Sequence, residues 1–153
     1  MPVRHIDLVS HWQIAAPADR VWDALTEPQT WPQWWPQVSS VRTIANGGGG
    51  GLGRIQRIEW RGMLAQSMVI EQEVIESIRP ERWRARSQGT WHAESIWLLR
   101  SEGGFTNVTY VWRVGLGRPW MQWLEPLLAP LFRWKYATVM RAGGAGLADY
   151  LGV

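Results

Sequence analysis

Apolar and polar residues alternate from Ile6 to Ile14. Ile6, Leu8, Trp12 and Ile14 fall on one face, and His5, Asp7, His11 and Gln13 on the other. That pattern predicts a half-buried strand. Ala15-Ala16-Pro17 turns the chain, and Pro17 suits the first position of a helix. Val21, Trp22, Ala24 and Leu25 then form the inward stripe of a short helix that Pro28 ends. From Pro28 to Pro36 a proline recurs every fourth residue, so Trp31-Pro32-Gln33-Trp34-Trp35 is not a long helix. It reads as a helical turn and loop whose indoles pack back on a sheet.

Six further strands follow: Val38 to Ala45, Arg54 to Trp60, Gln66 to Ile78, Arg82 to Ser87, Trp91 to Arg100 and Phe105 to Val114. The glycine stretch Asn46 to Gly53, the turn Arg79-Pro80-Glu81 and the turn Glu102-Gly103-Gly104 separate several of them. In the fourth strand of the chain Met68, Ile70, Val74 and Ile78 share a face. In the fifth, Trp83, Ala85 and Ser87 oppose Arg82, Arg84 and Arg86, which read as a solvated row facing Glu71 and Glu73. Pro119 opens a final helix that is apolar on more than one side, so one side packs on the sheet and another awaits a ligand, a membrane or a second subunit. Pro126 and Pro130 predict an irregular first section and a regular helix from about Leu127. Gly143, Gly144 and Gly146 predict a weakened or bent end. The layout is α+β, a cup of about seven antiparallel strands with one long closing helix.

Ala16-Pro17, Val21-Trp22 and Leu25, followed by Trp31 and Trp34, resemble the opening motif of the START-like superfamily, in its polyketide cyclase/dehydrase and lipid-transport group. Gly51-Leu52-Gly53 resembles the glycines before that group's third strand. The resemblance covers about Leu8 to Gly152 and implies a helix-grip fold, a curved sheet wrapped around the C-terminal helix. It implies a function only broadly, since the superfamily holds lipid carriers, plant-hormone receptors, aromatase/cyclases and chaperone activators. Pro119-Trp120-Met121, Pro130 to Trp134 and Val139 to Gly143 are similar to a bacterial subgroup of little assigned function. That subgroup carries an Asn-His pair where this chain has Lys135-Tyr136, so a polar role for the pair does not carry over.

Composition narrows the chemistry. The 153 residues suit a single domain, 1–153. With no Cys, disulfides, thiolate catalysis and Cys-based zinc sites are excluded. The formal charge of +3 invites a nucleic-acid reading, but the arginines are scattered and interleaved with acids rather than gathered on one face, so no nucleic-acid partner is expected. The start MPVRHIDLV lacks the order of a signal peptide. Glu125, Arg133, Lys135 and two prolines interrupt the longest apolar run, so no stable membrane insertion is expected, and cytoplasmic location is the default.

Catalytic signatures are weak. Gly48-x-Gly50-x-x-Gly53 precedes a strand rather than opening a helix, which rejects the dinucleotide fingerprint and leaves a hairpin loop. No two histidines share a helical face, so neither metal nor cofactor is expected. Glu71 and Glu73 face one way and Glu76 the other, which is not a facing carboxylate pair. His92 beside Glu94 reads as a solvated pair, while the facing of Arg57 and Glu59 stays open. The inward polar residues are expected to be Gln72, Ser87, Ser95 and Tyr110.

The 13 tryptophans are the strongest signal. Trp60, Trp83, Trp97 and Trp112 lie on the inner faces of four strands, and Trp120 and Trp123 add indoles from the closing helix. With Tyr110, Leu124 and Leu127 they form the expected ligand-binding set, around a pocket of roughly 300–1,000 Å³. The function expected is binding or carrying a lipid-like or polyaromatic molecule; the alternatives are a cyclase/dehydratase-type reaction in the same cup, and a partner-binding or dimerisation module without ligand that uses the apolar final helix.

Overall fold

A computed structural model describes residues 5–62, 67–88, 92–115 and 119–153, with the backbone alone at 88 and 119–129. Seven strands form one antiparallel sheet: β1 His5–Ile14, β2 Val38–Ala45, β3 Ile55–Trp60, β4 Met68–Ile78, β5 Arg82–Gln88, β6 Ala93–Glu102 and β7 Phe105–Gly115. The order across the sheet is β1-β7-β6-β5-β4-β3-β2. The strands from β2 to β7 are thus hairpin neighbours in sequence, and β1 and β2 are the two edges. The connection between those edges carries α1 Ala18–Leu25, a 3-10 turn Pro28–Thr30 and the one-turn helix α2 Trp31–Trp34. The long helix α3, Pro119–Leu151, closes the curved sheet and approaches β1, α1 and α2. This is the helix-grip architecture.

Alternation decides which faces are buried. Leu8, Trp12 and Ile14 of β1 and Val108, Tyr110, Trp112 and Val114 of β7 are all buried, while the alternate Val9 is 54% exposed. The stripe Val21, Trp22, Ala24 and Leu25 is buried as the periodicity predicts. Pro17 stands one residue earlier than expected: its ψ of 150° is still extended, and the helix begins at Ala18. Thr106 Oγ1 donates to the carbonyl of Ala16 at 2.7 Å and fixes that turn against β7.

Two expectations about β4 are corrected. Its register against β5 shifts between Val74 and Glu76. Ile75 is the extra residue of a bulge, so parity reverses beyond it. Ile78 turns outward, 42% exposed, instead of joining Met68, Ile70 and Val74. Glu76 joins the outer row with Glu71 and Glu73, where it meets Arg82 and Arg84. Arg86 pairs with Glu73 at 3.6 Å, and Arg57 takes Glu71 at 3.1 Å. These pairs are at least partly solvated and contribute little to stability.

The final helix also differs from expectation. Its backbone is helical from Pro119 through Pro126, Pro130 and the glycines. The fixed φ of proline is itself helical, and two prolines four residues apart remove their hydrogen bonds from the same side. The glycines are a docking surface rather than a break. A Cβ at Gly143 would lie 2.7 Å from Trp35 Nε1, and one at Gly144 would lie 2.9 Å from Trp12 Cδ1. One at Gly146 would overlap the backbone carbonyl of Trp34. Helix carbonyls point along the axis toward the residue four ahead. Baring Gly143 and Gly144 therefore opens the carbonyls of Val139 and Met140. Trp35 Nε1 donates to the first at 2.9 Å and Trp12 Nε1 to the second at 3.0 Å.

Candidate functional site

The inner face of the sheet, the α2 loop and the middle of α3 meet around one internal cavity. Trp60 of β3 and Met68, Ile70 and Gln72 of β4 form one wall. Ser87, Ser95, Trp97, Tyr110 and Trp112 bring β5, β6 and β7 to it. Trp31 enters from α2, and Tyr136, Val139 and Met140 descend from α3. All four polar residues expected to face inward, Gln72, Ser87, Ser95 and Tyr110, are buried here.

Of the expected ligand-binding set, Trp60, Trp97, Tyr110 and Trp112 line this cavity. Trp83 is also buried, at 2%, but is not part of its wall. It sits near the turn whose Arg79 is tied to Asp23 of α1 at 2.6 Å. The side chains of Trp120, Trp123, Leu124 and Leu127 lie outside the described residues, as do Trp91 and the residues next to Pro119.

The cup is full of its own aromatics. Trp31, Trp34 and Trp35 fold in from the loop and meet Trp12, Trp60 and Trp97, with Trp35 at 4.9 Å from Trp60 and 5.5 Å from Trp12. A second run stacks outward: Trp97 on Tyr110 at 4.1 Å, Tyr110 near Tyr136 at 6.5 Å, and Tyr136 on Trp112 at 5.7 Å. The space left is about 30 Å³. A single water needs about 10–15 Å³, so this volume takes about two waters rather than the expected ligand.

The polar atoms of the wall are unevenly served. Ser95 and Tyr110 share a hydrogen bond of 3.1 Å between their hydroxyls. Burial pushes the Tyr110 phenol well above its usual pKa of 10.0, and the Ser95 bond offsets a little of that. Burial raises Tyr136 further, with neighbouring Tyr110 adding to it. Nearby Ser10 opposes that rise without completing a hydrogen bond to the Tyr136 hydroxyl, which is left without a partner. Both phenols are neutral donors at neutral pH.

Sequence reasoning missed Tyr136, Val139, Met140 and Gln56. Tyr136, Val139, Met140, Gly143 and Leu147 are buried along one helical face, and that spacing was readable. Gln56, 1% exposed, follows by parity from Ile58 and Trp60; its amide nitrogen bonds Gln29 and Thr43, each at 3.2 Å. Arg57 faces outward with Glu71. His92 is exposed, and Glu94 pairs with Arg84 instead of with it. Among the described residues no group of three His, Asp or Glu is placed to hold a metal, and no helix is long and apolar enough to cross a membrane.

The family model described as polyketide cyclase/dehydrase and lipid transport matches residues 5–152. No curated protein matches the sequence. Several solved structures share the fold. TTHA0849 from Thermus thermophilus superposes with a TM-score of 0.76 at 19% identity, over 94% of this chain and 95% of that one. A START superfamily protein from Mycobacterium smegmatis gives 0.75 at 16%, over 96% and 97%. The di-domain ARO/CYC protein BexL, from the BE-7585A biosynthetic pathway, gives 0.76 at 18%, over 99% of this chain and 52% of that one.

Proposed function

This chain belongs to the polyketide cyclase/dehydrase and lipid transport family, and from that membership we propose that it binds or carries a hydrophobic small molecule, lipid-like or polyaromatic, in the cup beneath α3. The observation that carries this is the wall itself. Trp31, Trp60, Trp97, Tyr110 and Trp112 converge on one cavity with few polar groups among them. Such linings suit flat apolar ligands. The present volume, about 30 Å³, is too small for such a ligand, so binding would displace rings or the helix. We extend the ligand contacts to the first turns of α3, with Trp120, Trp123, Leu124 and Leu127, and to Trp83 as a neighbour that shifts when the wall opens.

Native mass spectrometry of the purified protein tests the reading. A co-purified small molecule, or saturable one-to-one binding of a hydrophobic dye that quenches Trp emission while folding stays cooperative, is the expected result. A panel of fatty acids, sterols and polyaromatics that shows no saturable binding would overturn it.

A cyclase/dehydratase reading uses the same pocket. Among the described wall residues the titratable groups are Tyr110 and Tyr136, and both stay protonated. In that reading they would donate hydrogen bonds to a developing oxyanion rather than abstract a proton. Turnover of aromatic polyketide intermediates, lost on Tyr110→Phe with binding retained, would favour it. The homodimer reading rests on Leu131 and Trp134 of α3, 54% and 64% exposed, and sedimentation at several concentrations tests it.

A further inference from the structure

The sheet ends in two edge strands, β1 and β2, and only one of them is defended. Native proteins protect an edge by keeping it short, by bulges, by Lys or Pro, by a charge pointing inward, or by covering it. β2 uses such devices. Its register against β3 shifts twice, between Val38 and Ser40 and between Thr43 and Ala45, and Arg42 stands exposed on it. β1 uses none of them. Its ten residues pair with β7 without a shift, from His5 opposite Gly115 to Ile14 opposite Thr106. It holds no Lys and no Pro, and its inward row of Ile6, Leu8, Ser10, Trp12 and Ile14 carries no charge. Among the described residues no backbone group outside β7 hydrogen-bonds to it.

The outward row of β1 reads His5, Asp7, Val9, His11, Gln13, and all five are exposed. That row is complementary to itself read backwards. Residues opposite each other in an antiparallel pair point to the same face, and a twofold contact pairs residue i with j and j with i. With the axis at Val9, this residue meets its own copy. Asp7 then stands opposite His11, His11 opposite Asp7, and His5 opposite Gln13. Moving the axis to Leu8 sets His5 against His11 and Asp7 against Val9. Moving it to Ser10 sets Val9 against His11 and Asp7 against Gln13. An axis between two residues would set the inner face against the outer. Only the Val9 register joins opposite charges.

The groups that would pair are already fixed on the outer face. Arg113 holds the Asp7 carboxylate from the β7 side, at 2.9 and 3.4 Å. Thr109 Oγ1 lies 3.3 Å from His11 Nδ1, so the second ring nitrogen, Nε2, remains for a partner.

We propose that two copies of this chain join edge to edge through β1, antiparallel about a twofold axis at Val9, so that their sheets continue into one. Backbone hydrogen bonds supply the attraction, and Val9 against Val9 with two Asp7–His11 contacts sets the register. This surface is distinct from the α3 face of Leu131 and Trp134, and it does not depend on what the cup binds.

Sedimentation velocity over a range of concentrations tests the pairing. The wild-type chain is expected to dimerise reversibly. The Val9→Lys chain and the Val9→Glu chain are each expected to be monomers alone, because like charges would meet at the axis. Mixed in equal amounts they are expected to dimerise again, since unlike charges then meet there. Val9 is 54% exposed, so both chains should melt close to the wild type, which circular dichroism checks. His11→Lys should tighten the dimer several-fold by facing Asp7 with a fixed positive charge, and His11→Glu should loosen it. If a Val9 variant melts early, the two His11 variants decide the matter, and equal loosening by both would overturn the register. A wild-type chain that stays monomeric at every concentration would overturn the proposal. A mixture of folded Val9 chains that stays monomeric would remove the axis from Val9 and overturn it as well. A dimer that survives Val9→Lys and dissolves on Trp134→Ser would place the interface on α3 instead.

Discussion

Glycine and tyrosine carry the sharpest consequences of single residues here. Gly146→Ala would drive a methyl group into the Trp34 carbonyl, which the loop cannot yield without moving its indoles. A loss of roughly 1–3 kcal/mol is expected, typical of overpacking. Gly49, with nothing within 4 Å of a built Cβ and no positive φ, is the control. Gly49→Ala should be neutral or stabilise by roughly 0.4–1 kcal/mol through the unfolded chain. Thermal and urea unfolding of both variants check the contrast. Trp22, 4% exposed in α1, fastens that helix to the sheet, so Trp22→Ala should cost about 3–5 kcal/mol. Retained stability with lost ligand binding would instead assign Trp22 to the site. Tyr110 and Tyr136 set the alkaline limit. Their folded pKa values lie above the usual 10.0 through burial, so the native state holds protons that the unfolded chain releases. Their contribution is complete below pH 10 and declines above it, by about 1.4 kcal/mol per pH unit for each group. Urea midpoints should therefore fall steeply above pH 10, and Tyr136→Phe should flatten the decline.

At the scale of the elements, α3 is anchored unevenly. Its second half is tied to the loop and β1 through Val139, Met140 and the bare glycines, while Pro126 and Pro130 remove two backbone donors from the first half. Unpaired carbonyls lower the cost of local opening. Amide exchange should therefore be faster at residues 120–123 and in the glycine loop 47–51 than at residues 131–140, and bound ligand should slow both. Uniform protection along α3, unchanged by ligand, would leave a rigid core as the better description. The strands themselves were legible because alternation is a strong local signal: the inner faces of β1, β6 and β7 follow from it directly. The bulge at Ile75 was not, because the amino acid types around it are compatible with either parity and only pairing with β5 selects one. The glycines of α3 were misread for a similar reason. Their role depends on Trp12, Trp34 and Trp35, more than a hundred residues away in sequence.

For the whole molecule, the fold was readable and the capacity of the cup was not. The inward Gln72, Ser87, Ser95 and Tyr110 followed from strand parity, whereas the degree of filling depends on how three loop indoles enter from the side. Light absorbed in this interior is not confined to one ring. Trp12, Trp31, Trp34, Trp35, Trp60 and Trp97 form a connected network with neighbouring centroids 4.9–6.3 Å apart. At such spacing the transition dipoles couple and excitation is shared among the rings. The near-ultraviolet circular dichroism should carry paired bands of opposite sign, and emission should be depolarised even in a rigid, slowly tumbling sample. A guest that quenches one indole of the network should therefore lower the emission of its neighbours as well, which makes the cluster a shared optical reporter of occupancy.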